Sequence, residues 1–116
     1  MSTVVEVPEA TEAAKQLVQL SKEYTQKLKD LKESAYSIPL KGVDVKSNGP
    51  RALRVKDVKS YLQYLRPAAE QLARQASQLV QHGAINDTTR LELRLRLAEL
   101  EHALFSATDA VKAIPG

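Results

Sequence analysis

The stretch Glu99-Leu100-Glu101-His102 sets a carboxylate and an imidazole three residues apart. On a helix that spacing turns both side chains to one face, and Glu-x-x-His is the pattern with which di-iron bundles hold their metals. Such a centre needs a second Glu-x-x-His and two further carboxylates. The other histidine, His82, has Leu79 three residues before it, so the set is incomplete. Glu99 and His102 are therefore expected to be a surface acid and a partly exposed histidine, with no metal and no cofactor. The chain has no Cys, which excludes disulfides, thiolate metal sites and Cys nucleophiles. It has no Gly-rich phosphate loop, no H-E-x-x-H and no G-x-S-x-G. Glu92, Glu99 and Glu101 stand among arginines, as on a solvated helix surface. An enzyme that grips a carboxylate substrate with Arg and Lys is the third-ranked reading, and no residue set identifies its substrate. The expectation is a protein that is not an enzyme.

Two other groups of residues point to binding. Lys41, Lys46, Arg51, Arg54, Lys56 and Lys59 face only Asp44 and Asp57 over the same stretch, an excess larger than the whole chain's net +3. A helix N-terminus falls there as well, which favours anions. Phosphate backbones, acidic lipid headgroups and acidic protein surfaces share that requirement. No aromatic residue interleaves with the basic ones in the loop itself. Tyr61 and Tyr64 follow it, so the base-stacking platforms of single-strand nucleic-acid binders are thin. An acidic protein partner ranks first and nucleic acid second.

The second group is Leu91, Leu95, Ala98 and Phe105, with His102 among them. "LELRLRL" at 91–97 alternates like a strand. Its Arg, Glu and Ala favour helix. Thr89-x-x-Glu92 fits a capping box, with Asp87 and Thr88 as rival caps. Leu93, Leu97, Leu100, Leu104, Ala107, Val111 and Ile114 continue in steps of three and four. A helix is predicted, and at about 100° per residue Leu91, Leu95, Ala98 and Phe105 lie nearly opposite that stripe. Three candidates cover this second flank: the N-terminal "STVVEV", the loop "IPLKGVDV", or another chain, either a different protein or an identical copy in a homo-oligomer.

These residues need long helices to hold them. At 116 residues the chain suits one domain, and 43% hydrophobic against 27% charged residues is ordinary for a globular protein. With 4% aromatics and no Trp, aliphatic side chains must build the core. Residues 1–7 read as a flexible tail and 8–116 as a single helical-bundle domain. A first helix over about 8–36 opens on Pro8 and Glu9 and carries Leu17, Leu20, Tyr24, Leu28, Leu31 and Ala35 on one stripe. Its run "KEYTQKLKDLKE" reads as a solvated face. Pro39, Gly42, Asn48-Gly49 and Pro50 then break the pattern. The 37–54 connection is long, "VDV" within it could pair briefly as a strand, and a short fourth helix there is an option. A second helix over about 51–82 has Val58, Leu62, Leu65, Ala69, Leu72, Ala76 and Leu79 in an unbroken heptad seam. Pro67 removes one donor, and a kink is expected rather than a break, because the seam keeps its phase. Gly83 is placed at the C′ stop. A third helix spans about 88–114. The predicted fold is all-α, an up-down-up bundle of three long helices.

The stretches "VKSYLQYLRPAAEQLARQASQLV" and "LELRLRLAELEHALFSATDAVKA" resemble the PsbQ-type extrinsic subunits of photosystem II over roughly residues 55–113. The likeness lies in helix lengths, aliphatic spacing and a Tyr-Leu pair ahead of a polar-to-basic helix. It implies a small lumenal bundle that docks on a membrane complex without catalysis. That family's bundle has four helices where this pattern gives three, and no site residue carries over. No run of about 18 apolar residues occurs, so no membrane span is expected, and no signal peptide is visible. No motif assigns a compartment. The leading expectation is a non-catalytic interaction subunit. Leu91, Leu95, Ala98 and Phe105 would make its apolar contact, and the six basic residues at 41–59 would steer an acidic partner.

Overall fold

A computed structural model describes residues 6–38 and 50–114, with the side chains of residues 50–54 outside the description. Three helices follow in order: α1 (Pro8–Tyr36), α2 (Pro50–His82) and α3 (Asp87–Lys112). No strand occurs among the described residues, and "VDV" and the rest of 39–49 lie outside them. The fold is an all-α bundle of three long helices.

The up-down-up order follows from one end of the molecule. Only residues 83–86 separate α2 from α3, so these two run antiparallel. The backbone N–H of Val7 donates to the Ala84 carbonyl at 2.8 Å, fixing the start of α1 beside that turn. Thus α1 and α3 run parallel and pack on each other, with α2 reversed against both. The result is a rod, 69 × 19 × 15 Å across its Cα atoms. Of the seven-residue tail, Glu6 and Val7 are already held. A Glu6 carboxylate oxygen accepts from the Thr11 hydroxyl at 2.9 Å and from the Asn86 amide at 3.4 Å.

The core divides along the rod. Near the α2–α3 turn, Ala14, Val18, Ala76, Val80, Ile85 and Leu93 pack together. Farther along, Leu28, Leu31, Leu62, Leu65, Leu72, Leu100 and Val111 form the larger cluster, closed by Ile38 beyond the end of α1. The α2 seam is where the heptad placed it, except that Val80 takes the buried position and Leu79 is half-buried. The helix runs through Pro67 without a break, with the proline ring on the exposed side.

The register of α1 differs from its leucine pattern. Its buried face is Thr11, Ala14, Val18, Ser21, Thr25, Leu28, Leu31 and Ala35. Leu20 is 40% exposed, and Leu17 and Tyr24 are half-buried. Small residues, Thr11, Ala14, Ser21 and Thr25, share the inward positions with Val18 over the first half of the helix. Leu17 and Leu20 are displaced to line the α1–α2 groove with Leu79. Ser21 and Thr25 keep buried hydroxyls without a hydrogen-bond partner between the two apolar clusters.

The turn at 83–86 also departs from the predicted pattern. The α3 N-cap is Asn86, not Thr89, Asp87 or Thr88: its Oδ1 accepts from the Thr89 N–H at 2.7 Å. Thr89 is instead buried. Gly83 sits just past α2 as expected, yet not in the left-handed region. Its N–H reaches the Leu79 carbonyl at 2.9 Å, and a Cβ there would stand 2.5 Å from that oxygen. Glycine is required by close approach.

Candidate functional site

Helix α3 positions the candidate contact surface because it is buried on one side alone. Leu93, Leu100, Ala103, Ala107 and Val111 face α1 and α2. Leu97 and Leu104 lie at the rim, half-buried. On the opposite flank Leu91 is 67%, Leu95 54% and Phe105 72% exposed, with Ala98 and His102 exposed between them. No described residue covers this flank, and Glu6 and Val7 lie against the 83–86 turn instead. Leucine and phenylalanine exposed singly are ordinary. Here they align: Leu91, Leu95, Ala98, His102 and Phe105 step by four, three, four and three. That is a second heptad seam on the outside of the bundle, about 21 Å long at 1.5 Å per residue.

Charged residues border the seam. Arg94 and Glu101 stand on the side toward α2, where Phe105 overhangs an open groove floored by Ala73 and Leu104. Glu92 and Glu99 stand on the side toward α1. Each is already engaged: Lys22 Nζ lies 4.0 Å from a Glu92 oxygen, and an Arg96 guanidinium nitrogen 3.3 Å from Glu99. Both pairs are partly exposed and contribute little stability. Their effect is to lower the net charge along that rim.

The basic segment is described in part. Lys56 is exposed and Lys59 half-buried on the outer side of α2. Arg51 and Arg54 fall on the first turns of α2, with side chains outside the described set, and Lys41 and Lys46 lie in 39–49, also outside it. Just beyond, Tyr61 and Tyr64 stack with centroids 6.2 Å apart and planes at 21°.

Glu99 and His102 do share the exposed surface of α3, beside Lys29 and Lys32 of α1. Among the described residues no group of three or more His, Asp or Glu stands close enough to hold a metal. No helix among them is long and apolar enough to cross a membrane.

One residue that motif reading passed over does conspicuous work. Arg90 reaches from the first turn of α3 to the C-terminus of α2. Its guanidinium donates to the carbonyls of Leu79 (3.2 Å), Val80, Gly83 (2.7 Å) and Ile85 (3.4 Å). The last carbonyls of a helix have no intrahelical partner and carry the negative end of its dipole. Arginine's fork answers both needs. The signal in the sequence was faint: an arginine one turn after a helix stop.

Neither known family profiles, curated proteins nor solved structures give a match to this chain.

Proposed function

We propose that this chain is a non-catalytic interaction subunit that docks on a larger protein assembly through the outward flank of α3. The observation that carries it is the open seam of Leu91, Leu95 and Phe105, apolar side chains aligned on a rigid helix and left uncovered by the described residues. Burying three such side chains would contribute roughly 1.5–3 kcal/mol each if they were fully transferred, enough to select a partner once the helix is already ordered. The basic residues of 41–59 would act at longer range, raising the encounter rate with an acidic partner more than the final affinity. The resemblance to PsbQ-type extrinsic subunits points to the same kind of role. The test is capture from the native source with immobilised wild-type chain and with the Leu95→Asp/Phe105→Asp variant, read by mass spectrometry. The proposal expects a protein retained by the wild type and lost by the variant. Identical captures would remove its basis.

A second reading, nucleic-acid binding by the basic segment, is favoured by the exposed Tyr61–Tyr64 stack beside Lys56 and Lys59. It expects RNA or DNA binding at low salt that falls steeply as salt rises. No binding at low salt eliminates it.

A further inference from the structure

We infer that the occupant of the α3 flank is the same flank of a second copy, paired antiparallel about a two-fold axis that crosses α3 between Leu95 and Ala98. The inference rests on the contact role proposed for this flank and assigns it to a second copy in place of a larger assembly.

The seam's phase decides which residues can meet. In the heptad, Leu95 and His102 take one kind of seam position and Leu91, Ala98 and Phe105 the other. Antiparallel helices pack the first kind against the second. The register centred between Leu95 and Ala98 matches Leu91, Leu95, Ala98 and His102. Leu95 meets Ala98 of the second copy, a large residue against a small one, and Leu91 meets His102. Phe105 extends past them to the methyl-bearing Thr88. Because the interface is isologous, each contact occurs twice.

The rim charges select this register. On the side toward α2, it sets Arg94 of one copy opposite Glu101 of the other, twice, so the pairing is self-complementary. On the side toward α1, it brings Glu92 near Glu99 of the second copy. That would repel, except that Lys22 already accompanies Glu92 and Arg96 accompanies Glu99. Sliding the helices by one heptad opposes Glu101 to Glu101 in one direction and Arg94 to Arg94 in the other, so the rim charges disfavour both shifts. A parallel pair would stack His102 on His102 and use Arg94 against Glu99, which Arg96 already holds.

The helices need no ordering on association, since α3 is built into each bundle. The seam spans little more than two heptads, so the interface is small and the dimer weak, with a Kd of about 1–100 μM. Its specificity comes from the rim charges rather than from its area.

Sedimentation equilibrium of the full chain from about 1 to 500 μM tests this. Wild type is expected to pass from monomer to dimer and no further, and Leu95→Asp/Phe105→Asp to remain monomeric. Arg94→Glu and Glu101→Arg should each weaken the dimer by about tenfold, and together restore it to within about threefold of wild type. These residues are exposed, so all variants should keep the wild-type circular dichroism. A wild type that stays monomeric at 500 μM overturns the inference. So does a dimer that R94E/E101R fails to restore, or one restored by R94E/E99R, which marks parallel pairing. If the wild type is monomeric yet Leu95→Asp/Phe105→Asp still loses a captured protein, the docking role stands and only the second copy is excluded. If neither property depends on Leu95 and Phe105, both fall together.

Discussion

Arg90→Met is the sharpest probe of how the bundle is closed. Methionine keeps much of the aliphatic stem of Arg90 and removes the guanidinium. The carbonyls of Leu79, Val80, Gly83 and Ile85 then lose their shared donor. A hydrogen bond involving a charged group contributes about 1.5–3 kcal/mol, and the favourable charge at a helix C-terminus about 0.3–1 kcal/mol. The four bonds share one ionic group and one entropy cost, so they do not add. The Leu79 carbonyl also keeps its bond from the Gly83 N–H. Water can reach part of this half-buried turn. The expected loss is therefore about 2–3 kcal/mol rather than the sum. At about 2.1 cal/mol/K of unfolding entropy per residue, a chain of 116 residues loses roughly 4 °C per kcal/mol, so Tm should fall by about 8–12 °C. Arg90→Lys should recover the dipole contribution and one bond, and land between the two. Urea unfolding followed by circular dichroism reads both variants. A loss below about 0.5 kcal/mol for Arg90→Met would mean that the turn holds α2 and α3 together without this latch.

Further predictions concern the same end and the middle of the rod. Gly83→Ala should destabilise by about 1–3 kcal/mol, since the new Cβ would stand 2.5 Å from a backbone oxygen that cannot swing aside. Asn86→Ala should cost about 1 kcal/mol through loss of the cap on Thr89 N–H. Thr25→Val should stabilise by about 1 kcal/mol, because it replaces a buried hydroxyl without a partner by a methyl group of the same shape. Each is checked by equilibrium unfolding, and a Thr25→Val variant less stable than wild type would show that the hydroxyl is bonded after all. Leu100→Ala, in contrast, should cost about 2–5 kcal/mol, as for any fully buried core leucine.

Much of this architecture is legible in the residues alone. Pro8, Pro50 and Gly83 punctuate the chain so plainly that three helix boundaries fall within a residue of the pattern. The α2 seam is legible because one apolar stripe suffices for a helix between two neighbours. The α1 stripe misleads because Leu17, Leu20 and Tyr24 compete with a smaller-residue face of Ala14, Val18, Ser21 and Thr25, and the spacing alone does not decide between them. Apolar counting favours the larger side chains, whereas the smaller-residue face is the one buried. Asn86 has the ordinary cap spacing to Thr89 but stands beside three other cap-forming residues, Asp87, Thr88 and Thr89. Arg90 escapes because its partners are backbone carbonyls across the α2–α3 turn, which no spacing rule displays. The outward flank of α3 is the reverse case. Its residues were readable from periodicity, and the structure adds that neither Glu6 and Val7 nor any other described residue lies over them. Of the six basic residues, only Lys56 and Lys59 have described side chains, so the steering role rests on charge in the sequence.

In the proposed role, Leu95 and Phe105 belong to a contact surface and not to the bundle's own core. Equilibrium unfolding of Leu95→Asp/Phe105→Asp at low micromolar concentration separates the two. A contact surface gives an unfolding free energy within about 1 kcal/mol of wild type, as expected for substitutions at positions this exposed. A loss of more than about 4 kcal/mol, of the kind that follows from placing charge in a core, would put both residues in the core and end the proposal.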